Sequence, residues 1–86
     1  MTDRASPEVL AALRETLENQ IVANDPPETA ATLERLRSAG MDEDQIWRLM
    51  SAVVLQEMGL MLAATRPFDR AGYIAALERL PQLVDR

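Results

Sequence analysis

The sequence predicts an all-α protein, a compact four-helix domain built around a central, largely apolar third helix. Helix-start signals divide the 86 residues into four segments. Within these segments apolar residues recur at the three- and four-residue spacing of an α-helix. No segment alternates with the period of two that a half-buried β-strand requires. One hydrophobic core suits this length, so we expect a single helical domain over residues 1–86.

The first helix is predicted over residues 7–23. Ser6 is a favoured N-cap residue, and Pro7 suits the first turn because proline needs no amide partner there. Apolar side chains then form one stripe, as in an amphipathic helix: Leu10, Leu13, Leu17 and Ile21.

The second helix is predicted over residues 26–39. Asp25 is its expected N-cap, Pro26 its first residue, and Glu28 the partner residue of a capping box. Gly40 ends it, since glycine adopts a left-handed closing conformation without a Cβ penalty.

The third helix, predicted over residues 43–65, starts at an Asp-x-x-Gln signal and differs from the others in being apolar nearly all round. Its main stripe comprises Ile46, Met50, Val53, Leu60, Met61 and Ala64. A second apolar side is expected to meet another protein, with Gly59 allowing a close approach. The candidate anchors on that side are Trp47, Leu55, Met58 and Leu62.

The fourth helix is predicted over residues 70–80. Asp69 supplies its N-cap, and Pro81 closes it. The apolar residues of this helix are Tyr73, Ile74, Leu77 and Leu80.

The composition excludes several chemistries. The chain has neither cysteine nor histidine, so thiol catalysis, disulfides and the commonest transition-metal ligands are absent. We therefore expect no metal and no cofactor, and no enzyme activity. The net charge of −5 disfavours nucleic acid and anionic membranes as partners. The charged and polar residues that interrupt the third helix argue against a membrane span.

Glu57 is the residue with the most distinctive position. Helical spacing places its carboxylate in the middle of the main apolar stripe of the third helix, where an unpaired charge is costly. We expect a buried ion pair, with Arg14 as the favoured partner and Arg79 and Arg35 as alternatives. The competing interpretation is an acid or base in an apolar pocket.

The chain also resembles a family of short bacterial all-helical proteins of unknown function. The resemblance rests on Asn19-Gln20-Ile21, Asp25-Pro26-Pro27-Glu28, Gly40, Gln56-Glu57, Arg66-Pro67-Phe68-Asp69, Tyr73, Ala76-Leu77 and Leu80-Pro81. It implies an all-helical fold and no particular activity. Members of the family tend to carry histidines on the first and third helices, and this chain has none.

These observations favour a small non-catalytic interaction module in the cytoplasm. The expected partner is a second copy of the chain, in a homodimer formed through the third helix, or else another protein. Two alternatives stay open. One is a small-ligand binder or enzyme that uses Glu57, and the other is an acidic inhibitor of a basic protein.

Overall fold

The computed structural model describes residues 6–83, which form four α-helices. Helix α1 spans Pro7–Ala23, α2 spans Pro27–Ser38, α3 spans Glu43–Ala64 and α4 spans Arg70–Arg79. The all-α prediction is confirmed, and each predicted helix end lies within one residue of the observed one.

Three of the four helix starts are capped as the sequence predicts. The hydroxyl of Ser6 accepts from the amide of Val9 at 3.2 Å. The carboxylates of Asp42 and Asp69 likewise accept from the amides three residues on, at 3.4 Å and 3.1 Å. These caps satisfy amides that the helix itself leaves unpaired.

The start of α2 differs from the prediction. Its N-cap is Pro26, and no side chain caps it. Asp25 instead lies 2.8 Å from Arg70 in an ion pair that joins the α1–α2 turn to α4. Among the described residues, Oε1 of Glu28 is buried without a hydrogen-bond partner, so the predicted capping box does not form.

The helices run up, down, up and down. Arg14 lies over Trp47, and Thr16 lines the same cavity as Val54, so α1 and α3 run parallel to each other. α2 and α4 are parallel to each other and opposite to that pair. α2 and α3 each contact all three other helices.

The core lies between the four helices and draws most heavily on the first half of α3. Within residues 43–54, α3 contributes Ile46, Trp47, Met50, Val53 and Val54. The other helices contribute Leu13, Leu17, Leu33, Leu36, Tyr73, Ala76 and Leu77, together with Leu80 just beyond α4. Burial of this apolar surface is the main favourable term in folding.

Arg35 secures the end of α4. Its guanidinium donates to the carbonyl oxygens of Leu80 at 2.7 Å, Leu77 at 3.1 Å and Glu78 at 3.3 Å. The carbonyl of Leu77 also accepts from the amide of Leu80 at 3.2 Å. A cation from α2 thus adds donors at the carbonyl end of α4, where helices leave acceptors unpaired.

Candidate functional site

The second half of α3 and the turn that follows it hold a buried carboxylate. Glu57 is 3% exposed. Its two oxygens accept from the two terminal nitrogens of Arg66, at 2.9 Å and 3.1 Å, in a bidentate pair. The amide of Asp69 also donates to Glu57, at 2.9 Å. The buried charge is therefore neutralised and hydrogen-bonded, as its burial requires.

The local backbone brings Arg66 back to Glu57. Thr65 ends α3 in the left-handed conformation, with φ of 50°. The amide of Arg66 then bonds the carbonyl of Met61 at 3.1 Å, which folds the chain back over the last turn of the helix. Donation of hydrogen bonds to the Glu57 carboxylate raises the pKa of the Arg66 guanidinium above its usual range. Glu57 thus fixes the α3–α4 turn and the residue that caps α4.

The expected pairing of Glu57 with Arg14 is wrong. Arg14 binds Glu18 at 3.2 Å, and its guanidinium lies 4.2 Å from the ring centre of Trp47. Trp47 precedes Glu57 by ten residues, about 15 Å along a helix, so Arg14 acts at the other end of α3. Arg35, one of the alternatives, binds α4 carbonyls instead.

A polar cluster next to Glu57 joins three helices. Oε1 of Gln20 on α1 accepts from the hydroxyls of Thr29 on α2 and Tyr73 on α4, at 2.7 Å and 3.0 Å. Burial is the main cause that raises the pKa of Tyr73 above 10.0. Gln20 was not among the site residues predicted from the sequence. Its position one turn from Leu17 is the signal that would have placed it inward.

A cavity of about 210 Å³ opens between α1, α3 and the α3–α4 turn, beside Glu57. Its polar lining consists of Thr16, Gln20, Glu57 and Tyr73. Its apolar lining consists of Val54, Met58, Met61 and Phe68. The two acid–base groups here, Glu57 and Tyr73, both have hydrogen-bond partners within the fold. The cavity is therefore better suited to binding than to proton transfer.

The outer face of α3, formed by Leu55, Met58, Gly59 and Leu62, is open to solvent. Leu55 is 46% exposed, Met58 48% and Leu62 81%. No atom lies within 4 Å of the place that a Cβ on Gly59 would occupy. These four residues follow the spacing of neighbours on one helix face, so they form a continuous apolar surface.

Trp47 does not belong to this outer face, contrary to the prediction. It is 8% exposed and lies in the core. Its indole N–H donates to Glu43 at 3.4 Å. Its ring forms one wall of a cleft of about 330 Å³ between the first halves of α1 and α3.

By length and composition alone, α3 is sufficient to cross a membrane. Its best 18-residue window has a mean hydropathy of 1.3, and 39% of that window is buried in the fold. The core helix of a soluble protein meets the same criteria, so this finding is weak evidence for a span.

Comparisons of the chain with protein-family models, with curated proteins and with solved structures find no match. The resemblance to the bacterial helical family stays a prediction. The fold and the site define the class: an all-α four-helix protein with a buried, arginine-paired carboxylate and an exposed apolar helix face.

Proposed function

We propose that this protein is a small non-catalytic interaction module that forms a homodimer through the outer face of α3. The observation that carries the proposal is the exposure of Leu55, Met58 and Leu62 around Gly59. Exposed apolar surfaces of this kind mark interaction sites in soluble proteins. A small core also gains from association, because a partner covers apolar surface that the chain leaves in water.

The pattern of large and small residues favours a second copy as the partner. Leu55 and Leu62 are equidistant from the midpoint between Met58 and Gly59. Two antiparallel α3 helices related by a two-fold axis through that midpoint would place Leu55 opposite Leu62 of the partner subunit. Met58 would then meet Gly59 of the partner subunit, a large side chain against a small one. A two-fold interface requires this kind of self-complementary surface.

The distribution of charge along α3 also favours self-association. Two copies with a net charge of −5 repel each other. Between residues 49 and 65, however, the one charged side chain is Glu57, which is buried and paired with Arg66. The outer face thus brings two acidic chains together without placing like charges in contact.

The alternative of an acidic inhibitor has less support from the surface charges. Glu18, Glu43, Asp44 and Asp25 are each paired with an arginine of the same chain. Internal pairing reduces the negative surface that a basic partner would recognise. The absence of catalysis is supported by Glu57, whose carboxylate is engaged by Arg66 and by the amide of Asp69.

Sedimentation equilibrium over a hundredfold range of protein concentration tests the dimer. We expect a dimer that dissociates on dilution in the wild type, and a monomer after Leu62→Glu. Ala31→Glu is the matched control, because it adds the same charge at an exposed position on α2 and should leave the dimer intact. A wild-type monomer throughout, or a dimer that survives Leu62→Glu, would overturn the proposal.

A further inference from the structure

From the cavity beside Glu57, we infer that the protein has a binding site for a small neutral aromatic molecule that carries one hydrogen-bond acceptor. Met58 lies both in the cavity wall and on the outer face of α3, so the experiment below is designed to separate ligand binding from dimer formation. It rests on the size of the cavity, the chemistry of its apolar wall and one polar donor at its edge.

The cavity is large enough for a single aromatic ring with a short substituent. Its volume is about 210 Å³. An engineered apolar cavity of about 150 Å³ in another protein already binds benzene. The volume lies below the range of about 300–1,000 Å³ that is typical of pockets for drug-sized ligands and cofactors, so only a small molecule is expected to fit.

The apolar wall favours an aromatic ring over an aliphatic chain. Met58 and Met61 supply two thioethers, whose sulfur atoms interact favourably with ring edges. Phe68 already packs edge-to-face on Tyr73, with ring centres 5.3 Å apart and planes at 61°. A ligand ring would extend this aromatic cluster, and the flexible methionines adapt to its shape.

The polar side of the cavity determines what the substituent should be. Oε1 of Gln20 already accepts two hydroxyl protons, from Thr29 and Tyr73. Within residues 6–83, Nε2 of Gln20 donates a hydrogen bond to no other residue. The side-chain N–H groups of Gln20 are therefore available to a ligand oxygen. The carboxylate of Glu57 is neutralised by Arg66, which removes the attraction that a cationic ligand would need.

Acetophenone is a suitable probe, because it is neutral and aromatic and carries one carbonyl oxygen. Ethylbenzene has the same carbon skeleton without the acceptor. The readout is NMR of ¹³C-labelled methionine methyl groups, in which Met58 and Met61 report on the cavity. Met50, fully buried in the core, reports on the integrity of the fold.

We expect acetophenone to shift the signals of Met58 and Met61 saturably, with one site per chain and a Kd of about 1 mM or lower. Ethylbenzene should bind about 2- to 10-fold more weakly, since it forms no hydrogen bond with Gln20. Thr16 lies at the exposed rim of the cavity, where a phenylalanine ring can cover the opening, so Thr16→Phe should weaken binding at least about tenfold. Ala12→Phe adds the same ring one turn earlier, at an exposed position, and should bind as the wild type does.

Both titrations are run on the wild type and on Leu62→Glu, so that a failure of the dimer proposal and a failure of the ligand site are distinguished. Should Thr16→Phe shift the Met50 signal, Thr16→Leu is used as a smaller filling variant. Absence of saturable shifts with either probe would overturn the site, as would binding that the filling variants leave unchanged. Equal affinity for the two probes would overturn the role given to Gln20.

Discussion

The two halves of α3 have similar apolar sequences but different surroundings. In the first half, Ile46, Met50 and Val53 are buried in the core. In the second half, Leu55, Met58 and Leu62 face solvent, whereas the buried residue is the carboxylate of Glu57. The first half is held by apolar packing, and the second half is anchored to the following turn by an ion pair and an amide hydrogen bond.

This difference shows that one helix serves two purposes. Its first half completes the core, because its large apolar side chains are almost fully buried. Its second half leaves an apolar surface exposed to solvent, and the pair of Glu57 with Arg66 holds the following turn without covering that surface. A buried ion pair gives less net stability than apolar packing, but it fixes a particular geometry.

The methionines of α3 provide the sharpest test of this comparison. Met50→Ala should destabilise the fold by about 2–5 kcal/mol, because it leaves a cavity in a fully buried place. Met58→Ala should cost less than about 0.5 kcal/mol, since that side chain is half exposed. Urea unfolding of both variants in the Leu62→Glu background, which the dimer proposal predicts to be monomeric, would measure the difference. Equal losses would show that the two halves do not differ.

The anchor of the second half is tested by Glu57→Gln. This substitution keeps the size of the side chain but removes the charge that binds Arg66, so we expect a loss of about 2–3 kcal/mol in the free energy of unfolding. Glu15→Gln, an exposed change of the same kind on α1, should have little effect. If the urea midpoints of the two variants coincide, the pair does not anchor the turn.

Alkaline pH probes the polar cluster around the second half of α3. Burial raises the pKa of Tyr73 above its ordinary 10.0, so the unfolded chain releases this proton more readily than the folded one. The stability that neutral Tyr73 contributes is therefore fully present below the pKa of tyrosine in the unfolded chain. It should be lost as pH rises through the pKa of Tyr73 in the folded protein. The chain has one tyrosine and no lysine, cysteine or histidine, which makes the assignment direct.

The measurement is the urea midpoint as a function of pH, together with the ultraviolet absorbance of the phenolate. Tyr73→Phe is less stable at neutral pH, because it loses the bond to Gln20, and its stability should not fall further as the solution passes about pH 10. If Tyr73→Phe still lost stability above about pH 10, the result would contradict this account.

The smallest expected effect lies at the start of α3. The hydrogen bond from Arg37 lowers the pKa of Glu43 from its ordinary 4.5. The stability contributed by this pair is present above the unfolded pKa and is lost as pH falls through the folded value. Glu43→Gln should therefore reduce the loss of stability in acid. Fluorescence of Trp47, the single tryptophan, follows the unfolding, and an unchanged acid profile would exclude a role for the pair.

Helix ends were predictable because they depend on nearby residues. Ser6, Asp42 and Asp69 each cap an amide three residues away, and Gly40 takes the positive φ of 84° expected of it. Asp25 was assigned wrongly because Arg70, distant in sequence, is its partner instead. The site was less predictable: Glu57 was placed inside correctly, but its partner was not identified.

The sequence by itself determined the number of helices, their ends and the apolar excess of α3, because caps and helical spacing act over a few residues. The tertiary structure alone decided that Trp47 is buried while Leu62 is exposed, and that Arg66 rather than Arg14 neutralises Glu57. Those outcomes depend on which helix packs on each part of α3, and on the left-handed turn at Thr65 that returns Arg66 to the helix. Packing of this kind joins residues far apart in the chain, so no local pattern specifies it.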